Sequence, residues 1–157
     1  MKMEMKEMMF DFVLLVNVLT LFLAVLGYLT NLYFVRKEKK RQNILTFFDY
    51  YRKMFASDSF CMLNYKKLND GSFERNFEDE KMEVKFVQFL GDCDHLATLK
   101  TASGISDELN SYMLGWFCQK VIPQLSENEK KAFFWSKAIN YLQETASFAE
   151  TLQGKGG

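Results

Sequence analysis

The chain opens with one long apolar run and continues with stretches in which apolar and polar residues recur at helical spacing. Between Phe12 and Val35, 24 consecutive residues carry no charge. As a helix, this run rises about 36 Å, enough to cross a hydrocarbon core of about 30 Å with some tilt. A secretory signal has a shorter apolar region, and a buried soluble helix rarely runs this long without a charge. The pattern predicts a retained transmembrane helix over residues 12–35.

Small or polar residues recur inside this run at intervals of three, four, three and four. They are Asn17, Thr20, Ala24, Gly27 and Asn31, which we call the stripe. At 100° per residue the stripe is about 80° wide and has the spacing of a heptad seam. Helices in lipid associate over small residues and through interhelical hydrogen bonds. The stripe predicts a homo-oligomer, or packing against a partner membrane protein. The alternative is a monomeric anchor whose amides lie near the interfaces.

Basic residues flank the run unevenly. Two precede it, Lys2 and Lys6, among three acids. Five follow it directly, in a basic cluster made of Arg36, Lys37, Lys39, Lys40 and Arg41. Lys and Arg in short flanks stay on the cytoplasmic side, so the amino terminus is predicted outside and the carboxyl terminus in the cytoplasm. The cluster also suits the surface of the lipid bilayer.

These features predict a five-part layout. It comprises a short extracytoplasmic amino terminus (1–11), the transmembrane helix (12–35), a basic juxtamembrane stalk helix (36–56), a cytosolic helical domain (57–152) and a flexible tail (153–157).

The stalk and the first two cytosolic helices follow from apolar periodicity. The stalk face consists of Ile44, Phe48, Tyr51 and Phe55, with Phe47 and Met54 beside it. A short helix capped by Ser57 or Asp58 is expected to stop at Gly71. A longer helix over about 76–102 carries an apolar face made of Met82, Phe86, Phe89, Cys93 and Leu96.

Two further helices complete the predicted domain. Gly104 ends one helix and Ser106 opens the next, whose apolar side carries Leu109, Met113 and Trp116 in line with Lys120, with Tyr112 and Phe117 flanking. Pro123 ends that helix, and Ser126 with Glu129 forms a capping box. The final helix then has an inner face made of Trp135, Ala138, Ile139, Leu142, Ala146 and Ala149. Because no convincing strand pattern appears, we predict an all-α fold with a bundle of about four cytosolic helices.

Charge and cysteine content narrow the classes of function. From residue 42 onward, 13 Lys and Arg stand against 16 Asp and Glu, so a nucleic-acid partner is not expected. Three widely spaced cysteines in a reducing cytosol are most simply buried small hydrophobic residues. The sequence predicts no cofactor and no small-molecule substrate.

Two short motifs and the two tryptophans are interpreted as structural. Cys93 and His95, in the segment Gly91–His95, lie two residues apart on a helix and therefore point to different faces, and they lack the ligand spacing of zinc. The acids Glu78, Asp79, Glu80 and Glu83 are interpreted as a solvated first turn. Trp116 and Trp135 are expected in the core, with a role as partner anchors as the alternative. No catalytic residue and no metal ligand is predicted.

The stretch from Phe86 to Leu125 resembles an uncharacterised family of small bacterial membrane proteins. The likeness lies in the turn Gly104–Leu109 (Gly-Ile-Ser-Asp-Glu-Leu), the aromatic Trp116 in the following helix, and Ile122. The resemblance implies one amino-terminal span, a cytosolic helical domain of unknown function and a bacterial inner-membrane location. It implies no known activity and supplies no catalytic residue.

Two classes of function follow from these observations. The first is a single-pass, self-associating membrane protein that presents a cytosolic interaction domain and is not an enzyme. The alternative is a membrane-disrupting effector, or a sensor subunit, of a bacterial anti-phage defence or toxin system. Membrane depolarisation on expression distinguishes the two.

Overall fold

The computed structural model describes residues 2–154, with side chains from residue 12 onward. This part of the chain is all-helical, with six α-helices and no strand among the described residues. The helices are α1 (Lys2–Met54), α2 (Phe60–Asp70), α3 (Glu80–Ser103), α4 (Asp107–Val121), α5 (Glu127–Lys131) and α6 (Ser136–Gly154). Short 3-10 turns at Ile122–Gln124 and Phe133–Trp135 flank α5. The all-α prediction is confirmed.

The chain divides into two compact units, Met1–Lys39 and Lys40–Gly157. We call their described parts the apolar unit and the helical domain. Helix α1 contributes residues to both, and the division falls inside the segment predicted as a stalk, 36–56. Phe47 and Met54 of that segment are buried core residues of the helical domain. Of the predicted tail, Gln153 and Gly154 belong to α6, and residues 155–157 lie outside the described residues.

Most helix ends lie where the glycines and capping residues of the sequence predict them. Gly71 and Gly104 follow α2 and α3 with φ of 75° and 67°, a left-handed conformation that glycine adopts without steric cost. Ser106 caps α4, where its hydroxyl accepts from the backbone N–H of Leu109. Ser126 and Glu129 form the predicted capping box at α5.

Two helices begin later than the sequence predicts. Helix α2 is capped by Ser59, rather than by Ser57 or Asp58. Helix α3 begins at Glu80, rather than near Asn76. The reason for the second difference is an Asx turn, in which the Asn76 side chain accepts from the backbone N–H of Glu78 at 3.0 Å. Asp79 then caps α3.

The final helix was predicted as continuous from Ser126, and this prediction is wrong. The backbone is extended at Ala132 (φ −70°, ψ 118°), which separates α5 from α6. Trp135 consequently lies half-buried in the intervening 3-10 turn instead of on the inner face of a helix. The other five residues of that predicted face, Ala138, Ile139, Leu142, Ala146 and Ala149, are buried as expected.

The buried face of α4 also differs from the apolar side predicted for it. Leu109 is 42% exposed and Tyr112 is 85% exposed. The buried residues are Asn110, Ser111, Leu114, Gly115, Phe117, Cys118 and Val121. This face packs on α6, which also packs on α3. A Cβ atom built on Gly115 would overlap the Cβ of Ala149, so the two helices meet closely there. The orientation of α4 therefore depends on small and polar residues such as Asn110, Ser111 and Gly115 as well as on buried apolar ones.

Candidate functional site

The apolar side chains of the amino-terminal helix point outward on every side. From Phe12 to Val35 only Leu32 is half-buried, and all other residues of the run are exposed. One described helix, α1, is long and apolar enough to cross a membrane by length and composition. An exposed apolar surface of this extent marks an interaction with lipid or protein.

The five residues of the stripe all lie in α1, and all are exposed. The Thr20 hydroxyl donates to the carbonyl oxygen of Val16 at 2.8 Å, so its polar group is already satisfied inside the helix. A Cβ atom built on Gly27 would meet nothing within 4 Å. The position of Gly27 therefore leaves room for close approach of another helix.

The basic cluster and the two tryptophans lie at half-buried or exposed positions. All five residues of the basic cluster are exposed on α1, on both sides of the division between Lys39 and Lys40.

Trp116 is half-buried on α4, with its ring 5.6 Å from that of Tyr65 and 4.7 Å from that of Phe117. The ring of Trp135 lies 5.0 Å from that of Phe134. Neither tryptophan is fully buried in the core.

The segment Gly91–His95 separates its cysteine from its histidine. Cys93 is fully buried, whereas His95 is exposed. The Nδ1 atom of His95 lies 2.8 Å from the carbonyl oxygen of Gly91, and its ring stacks on Tyr50 at 5.0 Å. The imidazole is therefore held by its own helix and by α1, on a different side from the thiol.

The three cysteines are all buried free thiols. Burial raises the pKa of Cys61 to about 12 and raises the pKa values of Cys93 and Cys118 as well. Such thiols remain protonated near neutral pH and are poor nucleophiles. Among the described residues, no three His, Cys, Asp or Glu side chains are grouped so that they could hold a metal ion.

An ion cluster that the sequence interpretation missed centres on Arg75, whose side chain is 3% exposed. Its guanidinium donates to both carboxylate oxygens of Glu83 at 2.6 Å and to those of Glu129 at 2.7 and 2.8 Å. The guanidinium also lies 3.7 Å from the ring centroid of Phe86. We call these three charged residues the Arg75 clamp. It joins the segment before α3 to α3 and α5, and Glu83 is not a solvated acid.

The clamp shifts the pKa values of Arg75 and Glu129. Burial by itself would lower the pKa of Arg75, but the hydrogen bonds to Glu83 and Glu129 outweigh it and raise that pKa. Burial by itself would raise the pKa of Glu129, but the hydrogen bonds from Arg75 and Ser126 outweigh it and lower that pKa. Both groups are therefore held in their charged forms, which suits a structural ion pair.

A second polar group lies between α4 and α6. The Tyr141 hydroxyl donates to Asn110 Oδ1 at 2.6 Å, and Asn110 Nδ2 donates to Thr145 Oγ1 at 2.8 Å. Ser111 Oγ donates to the carbonyl oxygen of Thr145 at 3.1 Å. Burial raises the pKa of Tyr141, so its hydroxyl stays protonated as a donor. The network satisfies buried polar groups and fixes how α4 meets α6.

A groove of about 610 Å³ lies between α3 and α6. Two lysines line it, and both are paired: Lys100 with Asp107, and Lys137 with Asp94 at 3.1 Å. Each of these two cations therefore already has a protein carboxylate beside it.

No protein-family model, no curated protein and no solved structure matches the chain. The likeness of residues 86–125 to small bacterial membrane proteins thus remains a resemblance, and the function is inferred from the chain's own residues.

Proposed function

We propose that the protein is a single-pass membrane protein that associates through its span and presents the helical domain to the cytoplasm as a non-enzymatic interaction module. The observation that carries the proposal is the uncharged run from Phe12 to Val35, whose apolar side chains are exposed around the whole helix. In water this surface would be strongly unfavourable, whereas in a bilayer it is in contact with lipid. The flanking charges favour an orientation with the amino terminus outside. A bacterial inner membrane is the location that the resemblance of residues 86–125 implies.

Self-association is supported by the stripe. Asn17 and Asn31 place amides on the same side of α1 as Gly27, and an amide that faces hydrocarbon without a partner is costly. A neighbouring span that approaches over Gly27 would bring hydrogen-bond partners to these amides. A second copy supplies such a span without any further component.

Energy transfer between full-length chains labelled with donor and acceptor, in lipid vesicles, tests this association. Because each interhelical hydrogen bond is worth about 0.6–2 kcal/mol, Asn17→Leu should weaken association about 3- to 30-fold. Gly27→Leu should weaken it by blocking close approach. Phe22→Leu, on the opposite side of α1, is the matched control and should leave it unchanged. Equal transfer in all three variants would remove the proposal of association through the stripe.

The effector alternative is favoured by one observation, the presence of two amides within an otherwise apolar span. If several spans rotated these amides toward a common axis, they would line a narrow polar path. Membrane potential measured during expression distinguishes this function from the interaction module. A non-disruptive module leaves the potential unchanged, whereas an effector depolarises the cell in a manner that Asn17→Leu with Asn31→Leu suppresses.

A further inference from the structure

Two phenylalanines project from the helical domain between α5 and α6. Phe133 is 91% exposed and Phe134 is 71% exposed. Several other phenylalanines of the domain, Phe47, Phe60 and Phe86, are fully buried, while Phe77 and Tyr112 are exposed singly. Together with Trp135, the two form what we call the aromatic turn, Phe133–Trp135. A pair of adjacent phenylalanines in solvent is unfavourable unless something covers it.

The aromatic turn is held in a defined conformation. The backbone N–H of Trp135 donates to the carbonyl oxygen of Ala132 at 3.0 Å. The Ser136 hydroxyl donates to the carbonyl oxygen of Phe133 at 2.7 Å. Half-buried Trp135 packs against Phe134, with their ring centroids 5.0 Å apart. These contacts present the two phenylalanine rings to the outside on a fixed base.

Lysines surround the aromatic turn. Lys130, Lys131 and Lys137 flank it, and no acid lies between residues 130 and 137. Lys130 pairs with Glu127 at 2.9 Å, and Lys137 pairs with Asp94 at 3.1 Å. Both pairs are partly exposed to water, where such interactions contribute little and the lysine can turn to another anion.

The combination of exposed phenylalanines with lysines favours a lipid surface over a protein as the partner of the aromatic turn. Protein interfaces are rich in aromatic residues and Arg but are depleted of Lys. Segments that lie in the interfacial layer of a membrane instead combine Phe or Trp with Lys, because the rings enter the acyl boundary and the ammonium groups reach lipid phosphates. The charge of the flanking lysines complements anionic headgroups.

We propose that the aromatic turn docks the helical domain on the anionic surface of the bilayer, with Phe133 and Phe134 inserted among the headgroups and the flanking lysines on lipid phosphates. The inference rests on the proposed function, since the span is what keeps the domain beside a bilayer. Tethering raises the effective concentration of the surface, so a weak contact is enough. The domain then meets the membrane on the side that carries the aromatic turn.

Quenching of tryptophan fluorescence by brominated acyl chains tests the docking in full-length protein. The chain has two tryptophans, so Trp116→Phe leaves Trp135 as the reporter beside the turn, and Trp135→Phe leaves Trp116 as the reference. Both variants are placed in nanodiscs of brominated phosphatidylcholine with phosphatidylglycerol. Trp135 is expected to be quenched and Trp116 not. Replacing phosphatidylglycerol with phosphatidylcholine should reduce the quenching of Trp135.

Further substitutions in the Trp116→Phe background separate the contribution of the two phenylalanines from that of the three lysines. Phe133→Ser with Phe134→Ser should abolish the quenching, whereas Tyr112→Ser, which removes an 85% exposed ring on α4, should not. Exchange of the three flanking lysines for Gln should remove the dependence on phosphatidylglycerol. Circular dichroism of each variant checks that the helices are kept.

The outcomes separate this inference from the proposed function. If the chain enters nanodiscs but Trp135 is not quenched, or is quenched equally without the two phenylalanines, docking is overturned and the membrane anchor stands. Discs that hold two copies should show the same quenching of Trp135 as discs that hold one copy. Loss of the quenching with the second copy would mean that a second chain covers the turn in the associated protein, and docking on lipid is then equally overturned. If the chain does not enter nanodiscs, the proposed function fails.

Discussion

The apolar unit and the helical domain place their apolar and polar side chains in opposite ways. In the apolar unit the leucines, valines and phenylalanines of residues 12–35 are exposed apart from Leu32, and a polar group such as the Thr20 hydroxyl is satisfied within its own helix. In the helical domain the large apolar side chains are mostly inside, and buried polar groups such as Tyr141 and Asn110 satisfy each other across helices. The difference supports the proposal that one unit lies in hydrocarbon and the other in water.

One glycine from each unit, Gly27 and Gly115, shows the same contrast. Gly27 has open space where a side chain would begin, whereas Gly115 lies directly against Ala149. The helical domain already contains the partner of its close-packed glycine. The corresponding partner of Gly27, in our proposal, comes from another span.

The largest effect is expected from removal of the cation at the centre of the Arg75 clamp. Arg75→Ala leaves Glu83 and Glu129 as neighbouring, partly buried carboxylates without their counter-ion, which costs about 3–5 kcal/mol of unfolding free energy. Arg52→Ala is the matched control, because its pair with Asp49 is exposed on both sides, and the expected cost is about 0–1 kcal/mol. Denaturant unfolding measures both. Equal costs would mean that the clamp does not hold the domain together.

The two glycines allow the same substitution to be compared in both units. Gly115→Ala forces α4 and α6 apart and should cost about 1–3 kcal/mol in the unfolding of the helical domain. Gly27→Ala should leave that unfolding free energy unchanged, because the added methyl group meets open space. Chemical unfolding in detergent, followed by near-ultraviolet circular dichroism of the domain, measures the difference. A destabilised Gly27→Ala variant would contradict the separation of the units.

A smaller effect is expected from acid. Because the pKa of Glu129 is lower in the folded protein than in the unfolded chain, its stabilising contribution is fully present above the unfolded value of about 4.3. The contribution is lost as the pH falls through the lower, folded pKa. Glu129→Gln should therefore flatten the dependence of stability on pH in the acid range, as followed by thermal unfolding at a series of pH values.

The control for the acid experiment is Glu127→Gln, whose exposed carboxylate pairs with Lys130 in the same helix. It should keep the acid dependence of the wild type. If the two variants behaved alike, the acid sensitivity would come from charges outside the clamp.

Features of the fold that depend on neighbouring residues could be predicted from sequence. Gly71, Gly104 and Ser106 mark helix ends because turn and cap preferences act over three or four residues. The Arg75 clamp could not be predicted in this way, because its acids lie 8 and 54 residues away along the chain. The only local sign was a lone Arg between Phe73 and Phe77 in a segment without periodicity.

The two predictions that differ from the structure in the last third of the chain, the continuous final helix and the apolar side of α4, have related causes. The helix is interrupted at Ala132, where the sequence has no Gly or Pro. Because the apolar positions continue across Ala132 at helical spacing, the sequence predicted one continuous helix. The orientation of α4 depends on Asn110 and Gly115, which hydropathy counts as polar or neutral. Of the sites, the stripe and the basic cluster are visible in sequence because they repeat or cluster locally. The exposure of the aromatic turn is a result of tertiary structure.

The central claim is that residues 12–35 cross a bilayer while the helical domain stays in the cytoplasm. The most direct test is full-length protein with a carboxyl-terminal reporter, fractionated in alkaline carbonate. The account predicts that the chain stays with the membranes and that a reporter which works only in the cytoplasm is active. Release of the chain into the carbonate supernatant, or activity only of a reporter that requires the periplasm, would contradict it.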